Sequence, residues 1–303
     1  FDTISELLTQ DDTLVWVDIF DPDHDTLAAL ARELGLNIWA VEDAVAPSER
    51  VKATVYATHT FFTVYAVDIV DSTLIKHRIS AFVLPRGLVT VRLPPHFDID
   101  RVVRRWDDLD GQRYGVGALV HGLLDVVVDG HFEAVQALDD RIEEVEDLLF
   151  DPPPKLPNVQ RRMFELRKQL VQLRRVVLPM REVINAIQHH RVEAQHSPEL
   201  DPLYIDLSDH VLRASEWTES LRDMLTTVFE THLSLQDARL NTVMKKLTGW
   251  AAIIAVPTAI TGFYGQNVLF PGFAAFSGFV ISSVIIAVLS GLLYVMFKRR
   301  DWL

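Results

Sequence analysis

From Leu247 to Phe297 the chain contains no Asp, Glu, Lys or Arg. No other feature narrows the possible folds so far. A charge-free run of about fifty residues is too long for one membrane crossing, which takes roughly 20 apolar residues, and it suits two. Turn-forming groups interrupt the run at Gly265-Gln266-Asn267 and at Pro271-Gly272. The expected structure is a transmembrane helical hairpin, with spans over about 247–264 and 275–297. A soluble hairpin buried in a core is disfavoured, because no charge interrupts either helix.

The flanks orient the hairpin. Lys245-Lys246 precede the first span, and Lys298-Arg299-Arg300 follow the second. Positive flanks favour the cytoplasmic side. Both termini are therefore expected in the cytoplasm, with "YGQN" (264–267) facing out, and a cell inner (plasma) membrane is the expected location. Everything before residue 246 forms a large cytoplasmic part. Its charge reconciles two figures: 49% of the chain is apolar, yet 23% is charged. A net charge of −13 argues against a nucleic-acid partner. With no cysteine, disulfides and thiolate metal sites are excluded. The sequence opens on Phe1 rather than Met, so an N-terminal piece is expected to be missing, and no secretory signal is visible.

Residues 1–100 mix strand and helix patterns. Leu14–Ile19, Val51–Tyr56, Phe61–Ile69, Ile79–Leu84 and Leu88–Val91 read as strands, with turns at Asp71-Ser72 and Pro85-Arg86-Gly87. Thr26–Leu34 has helical spacing and ends at Gly35. A mixed α/β domain with a partly antiparallel sheet follows. From about 98 the pattern is helical. Leu119–Phe150 reads as an amphipathic helix stopped by Asp151 and three prolines, its tail crowded with Glu143, Glu144, Glu146 and Asp147. A second helix is expected from about Asn158 to Gln195, kinked at Pro179. Asp201-Pro202 starts a third. Nothing stops it before Pro257, so it spans about 203–263 and would be roughly 90 Å long. The expected divisions are a cytoplasmic α/β domain with the acidic helix (1–155), a helical stalk (156–246), and the hairpin with its basic tail (247–303).

One stripe of that rod is informative. Steps of three and four, the coiled-coil period, give Asn241, Met244, Thr248, Ala251, Ala255, Thr258 and Gly262 toward the membrane. Each is small, polar or flexible. In the other direction they give Asp237, Ser234, Glu230, Thr227, Asp223, Ser220, Glu216, Arg213, Asp209 and Asp206. Leu212, Trp217, Leu221, Leu225, Val228 and Leu235 lie on other faces. A polar stripe in lipid must meet protein or water. Two readings fit: a helix-packing face of small residues, or the lining of a water-filled path shared by several identical subunits. In the second, Asp223, Glu230 and Asp237 form an acidic vestibule that concentrates cations, and Leu247 or Thr248 begins a dry gate beyond Asn241 and Met244. A straight helix drifts about 20° per heptad from this period, so alignment over the whole rod requires supercoiling.

These residues resemble the CorA family of divalent-cation transporters. The family signature is Gly-Met-Asn, usually after Tyr, following the first of two C-terminal membrane helices. Tyr264-Gly265-Gln266-Asn267 stands in that place, with "MKKLT" (244–248), Pro257-Thr258, Gly262 and a basic tail ending in Trp302-Leu303 around it. "WVDIFDP" (16–22), "LGL" (34–36), "VED" (41–43) and "RVK" (50–52) extend the resemblance over nearly the whole chain. It implies a homopentameric funnel in a lipid bilayer whose first membrane helix lines the pore. It also implies that Gly265, Gln266 and Asn267 form an outer mouth holding hydrated Mg²⁺. Mg²⁺ dehydrates reluctantly, so a neutral ring of carbonyls selects it by accepting hydrogen bonds from its water shell. It implies Mg²⁺ as cargo and as cytoplasmic regulator, with Co²⁺ or Ni²⁺ as other cargo and no organic cofactor. In the regulatory role Asp206 is the matching position on the long helix, Asp209 lies one turn away, and Asp68 or Asp71 are the candidate partners on the α/β domain. Gln266 replaces the signature Met, and "VLFPGFAAF" (268–276) carries no acid. A zinc-transporting relative and a non-conducting metal-sensing pentamer are the alternatives.

Other clusters read as surface. Gln188-His189-His190-Arg191 and His196 point in different directions. Asp206 and His210 sit one turn apart, where capping or metal ligation are both open. No nucleophile–base pair or phosphate loop appears, and no enzyme is expected.

Overall fold

The computed structural model describes residues 2–10, 13–150, 156–193, 198–266, 272–273 and 275–303. The chain divides into two compact units, Phe1–Thr227 and Val228–Leu303.

In the first unit, helix α1 (Asp2–Leu8) precedes strand β1 (Val15–Phe20), helices α2 (His24–Leu34) and α3 (Ile38–Val45), and strands β2 (Lys52–Val55), β3 (Thr60–Val70), β4 (Thr73–Leu84) and β5 (Gly87–Arg92). The sheet order is β1-β5-β4-β3-β2. β1 joins β5 in parallel, and the other pairs are antiparallel. The mixed sheet expected from sequence is therefore present.

Turn chemistry sets its register. Asp71 and Ser72 both take positive φ (49° and 63°), as a two-residue hairpin turn matched to strand twist requires. Val70 then pairs with Thr73. β4 starts there, six residues before the expected Ile79. Polar Lys76, His77 and Arg78 hid this half of the strand. Arg78 is buried because it donates to the carbonyls of Asp43 (2.8 Å), Ala44 and Ala46. These are the orphan acceptors at the C-terminus of α3, where a cation is favoured. Arg92 is buried likewise, against the Asp18 carboxylate (2.6 and 2.9 Å) across the β1–β5 pair.

Both sheet faces are covered. Phe61, Phe82, Val89 and Val91 pack with Leu27 and Leu30 of α2 and Ala40, Val41 and Ala44 of α3. On the other face lies the long helix α5 (Val116–Phe150), which packs chiefly on β3. A β-carbon on its Gly130 would come within 2.9 Å of the Val67 carbonyl, so close approach requires glycine there. His131 next to it donates Nε2–H to the Tyr65 carbonyl at 2.8 Å. Helix α4 (Asp100–Asp108) packs beside α5.

The expected kinked helix is instead two helices, α6 (Leu156–Val177) and α7 (Met180–Glu193). Pro179 has no N–H to donate, and its ring excludes the carbonyl a turn back. The helical ladder ends with Leu178 bonded to Arg174 and restarts with Glu182 and Val183 bonded to the Pro179 carbonyl.

Helix α8 runs unbroken from Asp201 to Tyr264, with Pro257 inside it. Within the first unit its buried seam is Tyr204, Leu207, Val211, Ala214, Thr218, Leu221 and Leu225, alternating steps of three and four. Leu212, grouped with the apolar side above, sits off this seam and is partly exposed. Polar side chains fix α8 to α5: Tyr204 Oη donates to the Gly117 carbonyl (2.9 Å), and Trp217 Nε1 to Asp139 (3.1 Å).

The second unit holds the end of α8 and helix α9 (Phe276–Arg299). Their apolar windows are only 6% and 0% buried. A soluble core helix would be covered, so the exposed apolar surface calls for lipid or further protein. The tail turns back: Trp302 stacks on Phe297 (5.4 Å, 14°) and donates its N–H to the Phe297 carbonyl. Leu303 packs beside Gly249 of α8, where a β-carbon would meet Leu303 at 3.4 Å and Phe297 at 3.8 Å.

Candidate ion pathway and metal-binding residues

The α8 stripe can be tested against what covers the helix. At 100° per residue, Gly249, Ala252, Ile253, Val256 and Ile260 share one face. All are buried or half-buried, and Gly249 is the one that meets Phe297 and Leu303. The rest of the circumference carries Met244, Leu247, Ala251, Ala255, Thr258 and Gly262 opposite that face, with Asn241 and Thr248 at its flank. Every one is exposed, Leu247 at 62% and Met244 at 57%, as is each residue from 241 to 248 and the bulky Trp250, Ile254 and Phe263. Gly262 has no atom within 4 Å of where a β-carbon would stand. The small, polar stripe therefore points away from the hairpin partner. Lipid gains nothing from such a face, whereas water or identical helices do.

Polar atoms on this stretch are satisfied locally. Thr258 Oγ1 donates to the Ile254 carbonyl (3.0 Å) and Thr261 Oγ1 to the Pro257 carbonyl (2.9 Å). Such back-bonds let a helix carry threonines and an internal proline through lipid. Thr258 thereby keeps lone pairs on the exposed face.

The helix ends at Tyr264. Gly265 closes it with an N–H bond to the Thr261 carbonyl (2.8 Å), and Gln266 bonds the Phe263 carbonyl (3.3 Å). Both residues are exposed. The C-terminal end of a long helix carries roughly half a negative charge. A cation at Gly265-Gln266 therefore meets favourable dipoles with no formal charge in the sequence. Asn267 lies outside the described residues.

Asp223, in the first unit, is exposed and pairs with Arg222 (3.2 Å). In the second unit Glu230 and Asp237 are exposed. The four carboxylates read as regulatory ligands differ in availability. Asp209 is held by Arg213, with Nε at 2.8 Å. Asp68 is held by His77 (2.9 Å) and Arg101 (3.5 Å). Asp71 occupies the β3–β4 turn. Asp206 is 65% exposed, and only a long 3.7 Å approach links it to His210. An incoming cation would find Asp206 open, and would have to displace existing cations from Asp209 and Asp68. Among the described residues no group of three or more His, Asp or Glu converges to hold an ion within one chain.

Other polar groups support structure. Burial holds the His131 imidazole down to about 4, opposed by its bond to Tyr65. Asp125, raised by burial and lowered by Arg105, pairs with that arginine at 3.1 Å. Glu143, Glu144, Glu146 and Asp147 are exposed, as expected of a solvated helix end. His190 is half-buried; Arg191 and His196 have no described side chains. Sequence reasoning missed the Gly249 notch, whose only signal was a glycine within an apolar helix.

Comparison with known proteins identifies the family and the fold. A family model described as "CorA-like Mg2+ transporter protein" matches residues 11–299. The chain is 23% identical to the "Cobalt/magnesium transport protein CorA" of Methanocaldococcus jannaschii over 309 aligned residues, covering 99% of this chain and 95% of that one. The complete structure of that organism's CorA magnesium transporter is similar with a TM-score of 0.77 at 22% identity, covering 97% and 93%. The structure of the full-length CmaX protein is similar at 0.71 and 20% identity, covering 94% and 87%.

Proposed function

The chain belongs to the CorA-like Mg²⁺ transporter protein family, and from that premise we propose that it is a passive channel for divalent cations. Mg²⁺ is the principal cargo, with Co²⁺ and Ni²⁺ as further substrates. Five copies surround one pore in the plasma membrane, both termini on the cytoplasmic side. Residues 1–155 and 156–246 form the cytoplasmic domain and stalk, and 247–303 the membrane part.

The observation that carries this reading is the bare stripe on α8, opposite the face that meets α9 and the tail. Turned inward in a ring, Asn241 and Met244 mark the inner end of the wet path. Leu247 begins an apolar constriction that closes by dewetting. Ala251, Ala255, Thr258 and Gly262 leave width for a hydrated ion. At the outer mouth, Gly265, Gln266 and Asn267 contribute neutral acceptors to the ion's water shell. Binding there stays weak enough for release. Asp223, Glu230 and Asp237 attract cations on the inner side.

Cation uptake into proteoliposomes tests the proposal. Wild type is expected to pass Mg²⁺ down its gradient, and Asn267→Ala to abolish uptake while the oligomer survives in cross-linking. Undiminished uptake by Asn267→Ala refutes the outer-mouth assignment. No uptake of any divalent ion by wild type refutes the channel and leaves a metal-sensing pentamer. Gln266 in place of the signature Met supports one second reading, zinc as cargo. Competition among Mg²⁺, Co²⁺, Ni²⁺ and Zn²⁺ in one vesicle preparation separates the two.

A further inference from the structure

A cavity of about 330 Å³ lies in the first unit, away from every residue assigned to the ion path or to metal binding. It opens at the exposed turn residues Ala57, Thr58 and Pro85. Val83 of β4, Val116 and Val120 of α5, Ile187 of α7 and Tyr204 of α8 wall it. Thr60 also lines it. Its cross-strand partner is Val83, so the pleat places both side chains on the α5 side of the sheet. Thr60 is 2% exposed, and its Oγ1 has no hydrogen-bond partner. An orphan hydroxyl in a dry place is costly, and this one belongs to a residue that lines a space large enough for an occupant.

We propose that this cavity is a binding site for an uncharged aromatic heterocycle of up to two fused rings, anchored by one hydrogen bond to Thr60. Three features set the chemistry. Among the described residues no Asp, Glu, Lys or Arg lines the cavity, so a charged ligand would lose its hydration with little in return. The volume is roughly twice that of an engineered cavity of about 150 Å³ that takes up benzene. The rings of Tyr56, Tyr204 and His190 supply flat surfaces against which an aromatic body packs. Aliphatic walls with a few polar groups, here Thr60 and the buried His59, whose Nε2 also has no hydrogen-bond partner, are the usual make-up of a small-molecule pocket. Because Tyr204 belongs to the first turns of α8, the occupant touches the stalk helix itself.

Indole is the probe, since its ring N–H can donate to the Thr60 oxygen. Full-length protein in lipid nanodiscs is titrated with indole and followed by saturation-transfer NMR, with empty nanodiscs as the reference for partitioning into lipid. Saturable binding of one indole per chain is expected. Val120→Phe and Ile187→Phe fill the cavity from two different helices and should each remove saturable binding, with folding checked by circular dichroism. Thr60→Val keeps the shape, and should weaken binding about fivefold for one lost hydrogen bond. Saturable binding unchanged in both Phe variants places indole elsewhere and overturns the proposal. So does the absence of saturable binding to folded wild type, which leaves the cavity to water. The outcome is independent of transport, because no ion flux is measured.

Discussion

His131 shows how one buried side chain gives the domain a pH dependence. It is 1% exposed and neutral, and burial lowers its pKa to about 4 from an ordinary 6.5. Between these values the unfolded chain binds a proton that the folded chain refuses. Stability is therefore full above about pH 6.5, falls as pH drops through the window, and levels off below 4. The gap corresponds to about 3 kcal/mol. Denaturant unfolding at pH 7 and pH 4.5 should reveal much of that loss in wild type, and a flatter profile in His131→Gln. An equal slope in both proteins would assign the acid sensitivity elsewhere. Nothing in the sequence around His131 announced this role, because a histidine on an apolar helix face reads the same whether it meets a carbonyl or water. Arg78 and Arg92 were illegible for the same reason. Their partners, the carbonyls at the end of α3 and the Asp18 carboxylate, are distant in sequence. Gly265 and Gln266 were legible, since a turn between two charge-free runs is a local pattern.

Elements with a strong period were read well, and those with none were not. The 64-residue α8 followed from uninterrupted helical spacing between Pro202 and the Gly265 turn. The sequence "IWAVEDAV" of α3 has too few turns to show a stripe, and Asn37 caps it through Trp39 N–H at 2.9 Å without a long run behind it. Pro179 was read as a kink, whereas its missing N–H ends α6, and the next helix starts anew, α6 packing on α5 and α7 on β2. On α8 the element-scale question is where the wet part of the path ends. Met244 is exposed on the stripe, one turn before Leu247. If a ring of Leu247 closes the path by dewetting, the threshold depends on how much apolar surface stands beside it. Met244→Ser replaces a thioether with a hydroxyl at that border. Basal Mg²⁺ leak in proteoliposomes should rise severalfold, with the oligomer intact. Unchanged leak would move the dry gate deeper, toward Ala251 or Ala255.

At the scale of the whole molecule, a single chain leaves the stripe on α8, the apolar surface of its membrane helices and Asp206 all without a partner of matching chemistry. The ring of identical copies proposed above would supply all three. If carboxylates of neighbouring subunits face one another, their repulsion opposes the closed ring when no cation is present. A divalent ion removes the repulsion and bridges the subunits, so rising cytoplasmic Mg²⁺ favours closure. Asp206 is the available group, because Asp209 and Asp68 already hold Arg213, His77 and Arg101. Five such sites act on one equilibrium, so a small differential affinity at each suffices for a large shift in population. Asp206→Asn removes the charge and keeps the shape. The variant should need several-fold more Mg²⁺ to close, read as residual flux, and should lose the Mg²⁺-dependent protection of the stalk from protease. His210 provides the control, being the neighbour that approaches Asp206 among the described residues. His210→Gln should leave both readouts near wild type if the ion, rather than the histidine, is the partner of Asp206. Identical Mg²⁺ dependence in wild type and Asp206→Asn would remove this carboxylate from gating, while leaving the α8 stripe as the path for the ion.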